Sequence, residues 1–266
     1  MNFSDKNITE PIAVFDSGVG GISVLRALLR EMPNENYWYY GDSANAPYGT
    51  KRLEEVRALT ISHVDSFISK GAKAVVVACN TATSAAVRLL RQKYPDVPII
   101  GIEPALKPAA LSGNHPNVIV MATPMTIREE KFHNLLERYM DAAHIISLPC
   151  PGLMEYIEQG TIRGAELEQF LIKLFEPFDK EKLDAVVLGC THYPFVSREL
   201  KKILGGSVRL FDGGPGTARE TKRRLANAGL LNPGQTRGTI QFDNSSPSKE
   251  KQELCMKLLD APMEED

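Results

Sequence analysis

Apolar residues in this chain follow two alternating rhythms. Short solid runs such as IAVF and AVVVA are separated by longer stretches in which apolar residues recur every three or four positions. Solid runs of four to eight residues read as buried strands, and the helical spacing reads as amphipathic helices. Strands are predicted at Pro11–Phe15, Asn36–Tyr40, Ala74–Ala78 and Ile99–Ile102, with helices at Gly20–Glu31, Leu53–Ser69 and Ser84–Lys93. The first helix carries Ile22, Leu25, Leu28 and Leu29 on one face, and Gly71 supplies a stop after the second. After the proline-bearing EPALKPAA the pattern restarts, with strands at Asn117–Met121, His144–Leu148, Ala185–Leu188 and Val208–Phe211. Helices are predicted near 128–140, at Ala165–Phe175 and up to Ile203. A further helix in GGPGTARETKRRLANAGL, the short strand TIQF and a last helix close the chain.

Strands and helices of these lengths in alternation predict an α/β protein with mainly parallel sheets covered on both faces. The two halves share one plan: IAVFDSGVGGISVLRALL and VIVMATPMTIREEKFHNLL both run strand, polar turn, amphipathic helix. Two pseudo-symmetric domains are therefore expected, with a cleft between the carboxyl ends of their strands, where open α/β sheets bind ligands. The expected division is 10–103 plus 212–266 for the first domain and 104–211 for the second.

Composition narrows the class without naming it. The chain has 266 residues, 43% hydrophobic and 24% charged, and a formal net charge of −2, which is ordinary for a globular protein. That balance argues against a nucleic-acid partner held by a broad basic surface. No run of about 18 apolar residues appears, and MNFSDKNITE lacks a signal-peptide pattern, so a cytoplasmic location away from membranes is expected. Four cysteines without short paired spacings are expected to be thiols there. The acidic end MEED reads as a frayed terminus.

The chemistry gathers at two of those cysteines. Cys79 in VVVACNTAT and Cys190 in VVLGCTHYP each end an apolar run and open a polar one, one in each half. A thiol at a strand end just before a helix can have its pKa lowered from about 8.5. Cys150 and Cys255 read as small core residues. Asn80, Thr81, Thr191 and His192 are hydrogen-bonding neighbours unsuited to a core. Asp16, at the end of the first strand in DSGVGG, and Asp42, in GDSANAPYG, place carboxylates where solvation is poor. The glycine turn lacks the Lys-Ser/Thr of a phosphate loop, and no clustered ligand spacing suggests zinc. His63, His115, His133 and His144 read as structural or solvated, Trp38 as packing and Glu158 as a surface charge. A pair of thiols suits a reaction needing an acid on one side and a base on the other. A single Cys-His hydrolase is an alternative that leaves one cysteine unexplained.

FDSGVGG, GDSANAPYG, ACNTAT, GIEPALKPA and LGCTHYPF, in that order, resemble the glutamate racemases of the cofactor-independent aspartate/glutamate racemase family. The resemblance implies two pseudo-symmetric α/β domains and interconversion of L- and D-glutamate without metal or other cofactor, for peptidoglycan synthesis. By it the family's catalytic positions fall on Cys79, Cys190, Asp16 and His192. The first cysteine would serve the D-enantiomer and the second the L-enantiomer. Substrate contacts would fall on Asp16, Ser17, Tyr48, Gly49, Asn80, Thr81, Thr191 and His192. Asp42, Glu158, Thr123 and Thr126 match auxiliary positions, and a homodimer is expected. The lead before Ile12 is shorter than in some members, which argues against activation by a cell-wall precursor. Racemisation of another amino acid such as aspartate is the nearest rival. A non-catalytic amino-acid-binding protein and a thiol redox protein are others; the last predicts a Cys79–Cys190 disulfide, whereas a racemase needs its sulfurs beyond disulfide reach.

Overall fold

The computed structural model describes residues 8–246 and 248–263. The lead through residue 7 and the acidic tail from residue 264 lie outside the described residues. Strands β1 (Ile12–Asp16), β2 (Tyr37–Gly41), β3 (Ala74–Val77) and β4 (Ile99–Gly101) alternate with helices α1 (Ile22–Glu31), α2 (Leu53–Ser69) and α3 (Asn80–Lys93). Helix α4 (Leu106–Ala110) leads to β5 (Asn117–Ala122), α5 (Pro124–Arg128), α6 (Glu130–Glu137) and β6 (His144–Pro149). Then come α7 (Leu153–Glu158), α8 (Ala165–Phe175), β7 (Ala185–Leu188), α9 (Ser197–Leu204) and β8 (Arg209–Asp212). Helix α10 (Gly214–Asn227), β9 (Ile240–Asn244) and α11 (Lys249–Leu259) finish the chain.

All pairings are parallel, in two sheets of order β4-β3-β1-β2-β9 and β6-β5-β7-β8. Numbered within its own half, each sheet has the order 4-3-1-2, which gives the shared plan seen in the sequence a shared topology. The chain moves to opposite sides of the first strand in each half, so a switch point opens between β1 and β3, and another between β5 and β7. Crevices at the carboxyl ends of such strand pairs are the ligand positions of doubly wound sheets. The segment after Asp212 returns to the first sheet, where β9 pairs with β2 from Tyr37↔Ile240 to Gly41↔Asn244.

Alternation within the solid apolar runs explains how they pack. On β1, Ala13 and Phe15 join the α2–α3 side with Phe67 and Leu90, whereas Ile12 and Val14 face the other side. On β7, Ala185 and Val187 pack with α4 and Phe132, while Val186 and Leu188 turn the opposite way. Those second faces share one continuous apolar cluster that also takes in Leu25, Leu225 and Leu258. The two sheets are thus held by a common core as well as by their own.

Local differences from the sequence reading have simple causes. Helix α3 starts at Asn80, not Ser84, because Cys79 caps it and accepts a hydrogen bond from the Ala82 amide at 3.4 Å. The expected helix near 128–140 breaks into α5 and α6, with Glu129 extended between them. Part of the proline-bearing EPALKPAA, read as a connection, is helical as α4.

Candidate active site

Both switch points carry a cysteine two residues beyond the third strand of their half. Cys79 follows β3 and Cys190 follows β7, and their side-chain environments are nearly closed, with the residues 6% and 8% exposed. Beside Cys79, at the end of β1, lie Asp16 and Ser17. The Ser17 hydroxyl faces the Cys79 sulfur at 3.5 Å. Asp16 is fully buried, and its two oxygens accept from the Gly18 amide at 2.9 Å and the Thr191 hydroxyl at 3.0 Å. This carboxylate of the first sheet therefore reaches the cysteine turn of the second. Burial raises its pKa, although the nearby charge of His192 and the two donors oppose that shift.

The two thiols sit in different electrostatic settings. Burial pushes Cys79 up to about 12, the Asp16 charge adds to the rise, and the Ser17 and Ala82 donors offset only part of it. The lowering expected from its place before a helix is thus overturned: complete desolvation and a neighbouring carboxylate outweigh the helix N-terminus. Ionising Cys79 at pH 7 would cost on the order of 7 kcal/mol, so without ligand it is a thiol. At the other switch point, His192 Nδ1 lies 3.6 Å from the Cys190 sulfur and Nε2 lies 2.8 Å from Glu158 Oε1. Burial works against a charged imidazole there, but its bonds to Cys190 and Glu158 and their charges raise its pKa well above the ordinary value.

Glu158 is not the surface charge that its sequence neighbours suggest. Its side chain is 11% exposed and is held by His192, by the Val19 amide at 2.7 Å and by Lys251 at 2.6 Å. Burial favours its neutral form, yet these partners lower its pKa to about 2. Helix α7 supplies Glu158, α11 supplies Lys251, and the glycine turn after β1 supplies Val19. With the turn after β7 that carries His192, four segments thus meet at one carboxylate.

A second group of candidates closes another side of the site. Thr81 Oγ1 lies 3.2 Å from both Thr123 Oγ1 and Thr126 Oγ1, which are 2.9 Å from each other. This triad joins α3 of the first sheet to α5 of the second. Asn80 is buried, and its Oδ1 is the one buried side-chain oxygen or nitrogen without a hydrogen-bond partner among the described residues. Tyr48 lies in a short 3-10 turn and donates to Asp42 Oδ2 at 2.6 Å, so Asp42 holds Tyr48. His63, at 3.1 Å, and Asn45 also hold Asp42. The pKa of Asp42 is strongly lowered: burial opposes this, but the hydrogen bonds win. Gly49 is pressed against Thr123, where an added Cβ would come within 2.9 Å.

Sequence reasoning passed over several residues that this assembly needs. An added Cβ at Gly18 would lie 1.9 Å from Glu158 Oε1, and one at Gly20 would lie 2.3 Å from His192 Nδ1. The glycine turn therefore lets the backbone of the first half approach the side chains of the second. Ser23 on α1 adds a cross-strut, with its hydroxyl 2.8 Å from the Thr191 carbonyl. The glycine run was a visible signal, whereas nothing in the sequence around Lys251 or Ser23 marks them. Among the described residues no group of three or more His, Cys, Asp or Glu side chains is placed to hold a metal ion. All four cysteines are free.

Residues 16–221 match the family model for Asp/Glu/Hydantoin racemase. The chain is 51% identical over 251 residues to a glutamate racemase of Clostridium botulinum (strain Alaska E43 / Type E3), covering 94% of this chain and 97% of the relative. Its fold is similar to the glutamate racemase of Thermus thermophilus solved with beta-chloro-D-alanine, with TM-score 0.80, 35% identity and coverage of 95% and 94%. It is also similar to that of Francisella tularensis solved with D-glutamate, with TM-score 0.82, 27% identity and coverage of 97% and 96%. With its matched sequence running from Asp16 through both cysteine turns, the chain belongs to the Asp/Glu/Hydantoin racemase family.

Proposed function

We propose that this protein interconverts L- and D-glutamate without a cofactor, by proton transfer between two thiols across the α-carbon. The observation that carries this reading is the pair of cysteines at equivalent switch points, each with its own partner. Cys79 has Ser17 within hydrogen-bond reach and Asp16 close by, and Cys190 has His192. The L-to-D direction starts with Cys190 as thiolate and Cys79 as thiol. An imidazolium beside a sulfur is the partner a thiolate needs, and the raised pKa of Cys79 keeps its proton available. Cys190 removes the α-proton of L-glutamate, and the electron pair of the broken C–H bond moves into the carboxylate. Cys79 then gives its proton to the opposite face and becomes the thiolate. The reverse direction exchanges the two roles.

Placed donors and acceptors support such an intermediate better than water does. The unpaired Asn80 Oδ1 and the Asp16 carboxylate are acceptors suited to the substrate ammonium. That ammonium would also lower the cost of a Cys79 thiolate by balancing the Asp16 charge. The hydroxyls of Thr81, Thr123 and Thr126, with the Tyr48–Gly49 turn, supply donors for the two carboxylates, while the Ser17 and Thr191 hydroxyls stay on Cys79 and Asp16. His192 is the assistant of Cys190, while Asp42 and Glu158 act through Tyr48 and His192. We assign residues 10–103 plus 212–266 and residues 104–211 as two domains that open and close about the connections after β4 and β8. A cytoplasmic homodimer supplying D-glutamate for peptidoglycan completes the proposal, with sedimentation velocity as the test of the dimer.

Circular dichroism of L-glutamate and L-aspartate during turnover tests the reaction and substrate together. Glutamate is expected to lose its signal while aspartate keeps it. Cys79→Ser and Cys190→Ser should each lower kcat by at least about 100-fold, the lower end for loss of a proton-transfer group. Full racemisation by either variant would refute the two-thiol mechanism.

A further inference from the structure

Lys251 has no part in the proton transfer described above, yet it sits at the end of a continuous line of contacts leading to Cys190. Its Nζ lies 2.6 Å from Glu158 Oε2 and donates to the Glu158 backbone carbonyl at 2.8 Å. The other carboxylate oxygen, Oε1, meets His192 Nε2 at 2.8 Å and accepts from the Val19 amide at 2.7 Å. His192 Nδ1 then faces the Cys190 sulfur. Both ring nitrogens are thereby committed, and the plane of the ring follows from where Glu158 is held.

The two contacts of Lys251 hold Glu158 at two points. One grips the carboxylate, and the other grips the last carbonyl of α7, a position where a cation satisfies an otherwise unpaired acceptor. The lysine side chain is 25% exposed, against 11% for the glutamate and 2% for the histidine. The line therefore runs inward from a solvent-edge cation to a buried imidazole. Lys251 belongs to α11, which packs on α1 and β9 of the first sheet, whereas Glu158, His192 and Cys190 come from the second half. A cation from one half fixes the assistant of the thiol in the other.

We infer that Lys251 is a positioning residue for proton transfer at Cys190, acting by fixing Glu158 and, through it, the orientation of His192. This rests on the two-thiol reading above, in which Cys190 serves L-glutamate. Loss of the lysine leaves Glu158 with His192 and Val19 on one oxygen and frees the other. The carboxylate can then rotate and His192 loses its set direction towards the sulfur. The barrier on the Cys190 side should rise while the Cys79 side keeps all of its contacts.

The test uses Lys251→Met and Lys251→Gln, which remove the charge, and Lys251→Arg, which retains it. Because the enantiomers have equal free energy, kcat/KM must fall equally in both directions, so the affected side is read from isotope effects. Rates with α-protio and α-deuterio glutamate are compared for each enantiomer, with thermal unfolding as the check on folding. For Met and Gln, kcat/KM is expected to fall roughly ten-fold, short of the about 100-fold that a 1 Å misplacement can cost. The isotope effect on kcat/KM should rise for L-glutamate, whose deprotonation becomes more limiting. It should fall for D-glutamate, whose deprotonation becomes more reversible, and Arg should restore both. Unchanged activity, or lower activity with both isotope effects unchanged or shifted the other way, overturns the proposal. Racemisation surviving in Cys190→Ser would instead overturn the reading on which it rests.

Discussion

Gly20 and Gly216 are chemically the same residue in opposite situations. At Gly20 a methyl group would press on His192 and on the Thr191 hydroxyl, both committed to other partners. At Gly216, exposed on α10, an added Cβ meets nothing within 4 Å. Gly20→Ala is therefore expected to destabilise by about 1–3 kcal/mol, the usual range for overpacking, and to reduce kcat. Gly216→Ala should be neutral or stabilise by roughly 0.4–1 kcal/mol, because Ala restricts the unfolded chain at a site with room for its Cβ. Guanidinium unfolding and steady-state kinetics on the two variants check this contrast. If Gly20→Ala kept both stability and kcat, the close approach of the glycine turn to His192 would be wrong.

Helices α7 and α11 show how elements set the charge of the site. Glu158, at the end of α7, has its pKa lowered from an ordinary 4.5 to about 2 once burial is outweighed by His192, Lys251 and Val19. A carboxylate lowered on folding adds stability that is complete above about pH 4.5 and is lost as pH falls towards 2. The size is at most roughly 3 kcal/mol. Glu158→Gln should therefore be less stable at pH 7 and show a flatter loss of stability between pH 5 and pH 3. Denaturant midpoints at those pH values measure it, and an equally steep acid limb in the variant would contradict the ion-pair account. The same helices explain why the sequence around Glu158 suggests a surface charge. A short acidic segment such as MEYIEQG resembles a solvated turn until α11 and the glycine turn close over it.

At the scale of the molecule, two sheets with one strand order share a core and bring their switch points together. Cys79 and Cys190 lie within electrostatic reach of one another and are almost closed to solvent. On the proposed mechanism substrate entry requires the two halves to part, and a bound ligand should hold them shut. Alkylation by iodoacetamide, followed by peptide mass spectrometry, is expected to reach Cys79 and Cys190 slowly and to be slowed further by D-glutamate. Cys150 and Cys255 should stay unmodified, being 2% and 3% exposed in apolar packing, where burial also raises both thiols. Labelling of Cys79 and Cys190 that D-glutamate does not slow would place the ligand elsewhere.

The linear chain alone determined the parallel α/β class, the repeated plan and the two cysteine turns. Each of these is local: solid apolar runs make doubly covered strands, and Asp16, Cys79, Cys190 and His192 stand at strand ends that any reader of the pattern can find. Tertiary structure decided the rest, because the deciding contacts join residues far apart in sequence. Val19 meets Glu158 across 139 positions, Thr191 meets Asp16 across 175, and Lys251 meets Glu158 across 93. No periodicity records such meetings. They also reversed the expectation for Cys79, whose place before a helix favours a lower pKa while burial beside Asp16 raises it to about 12. Desolvation and neighbouring charge belong to the packed molecule, so only the fold could raise one thiol beside Asp16 and set the other against His192.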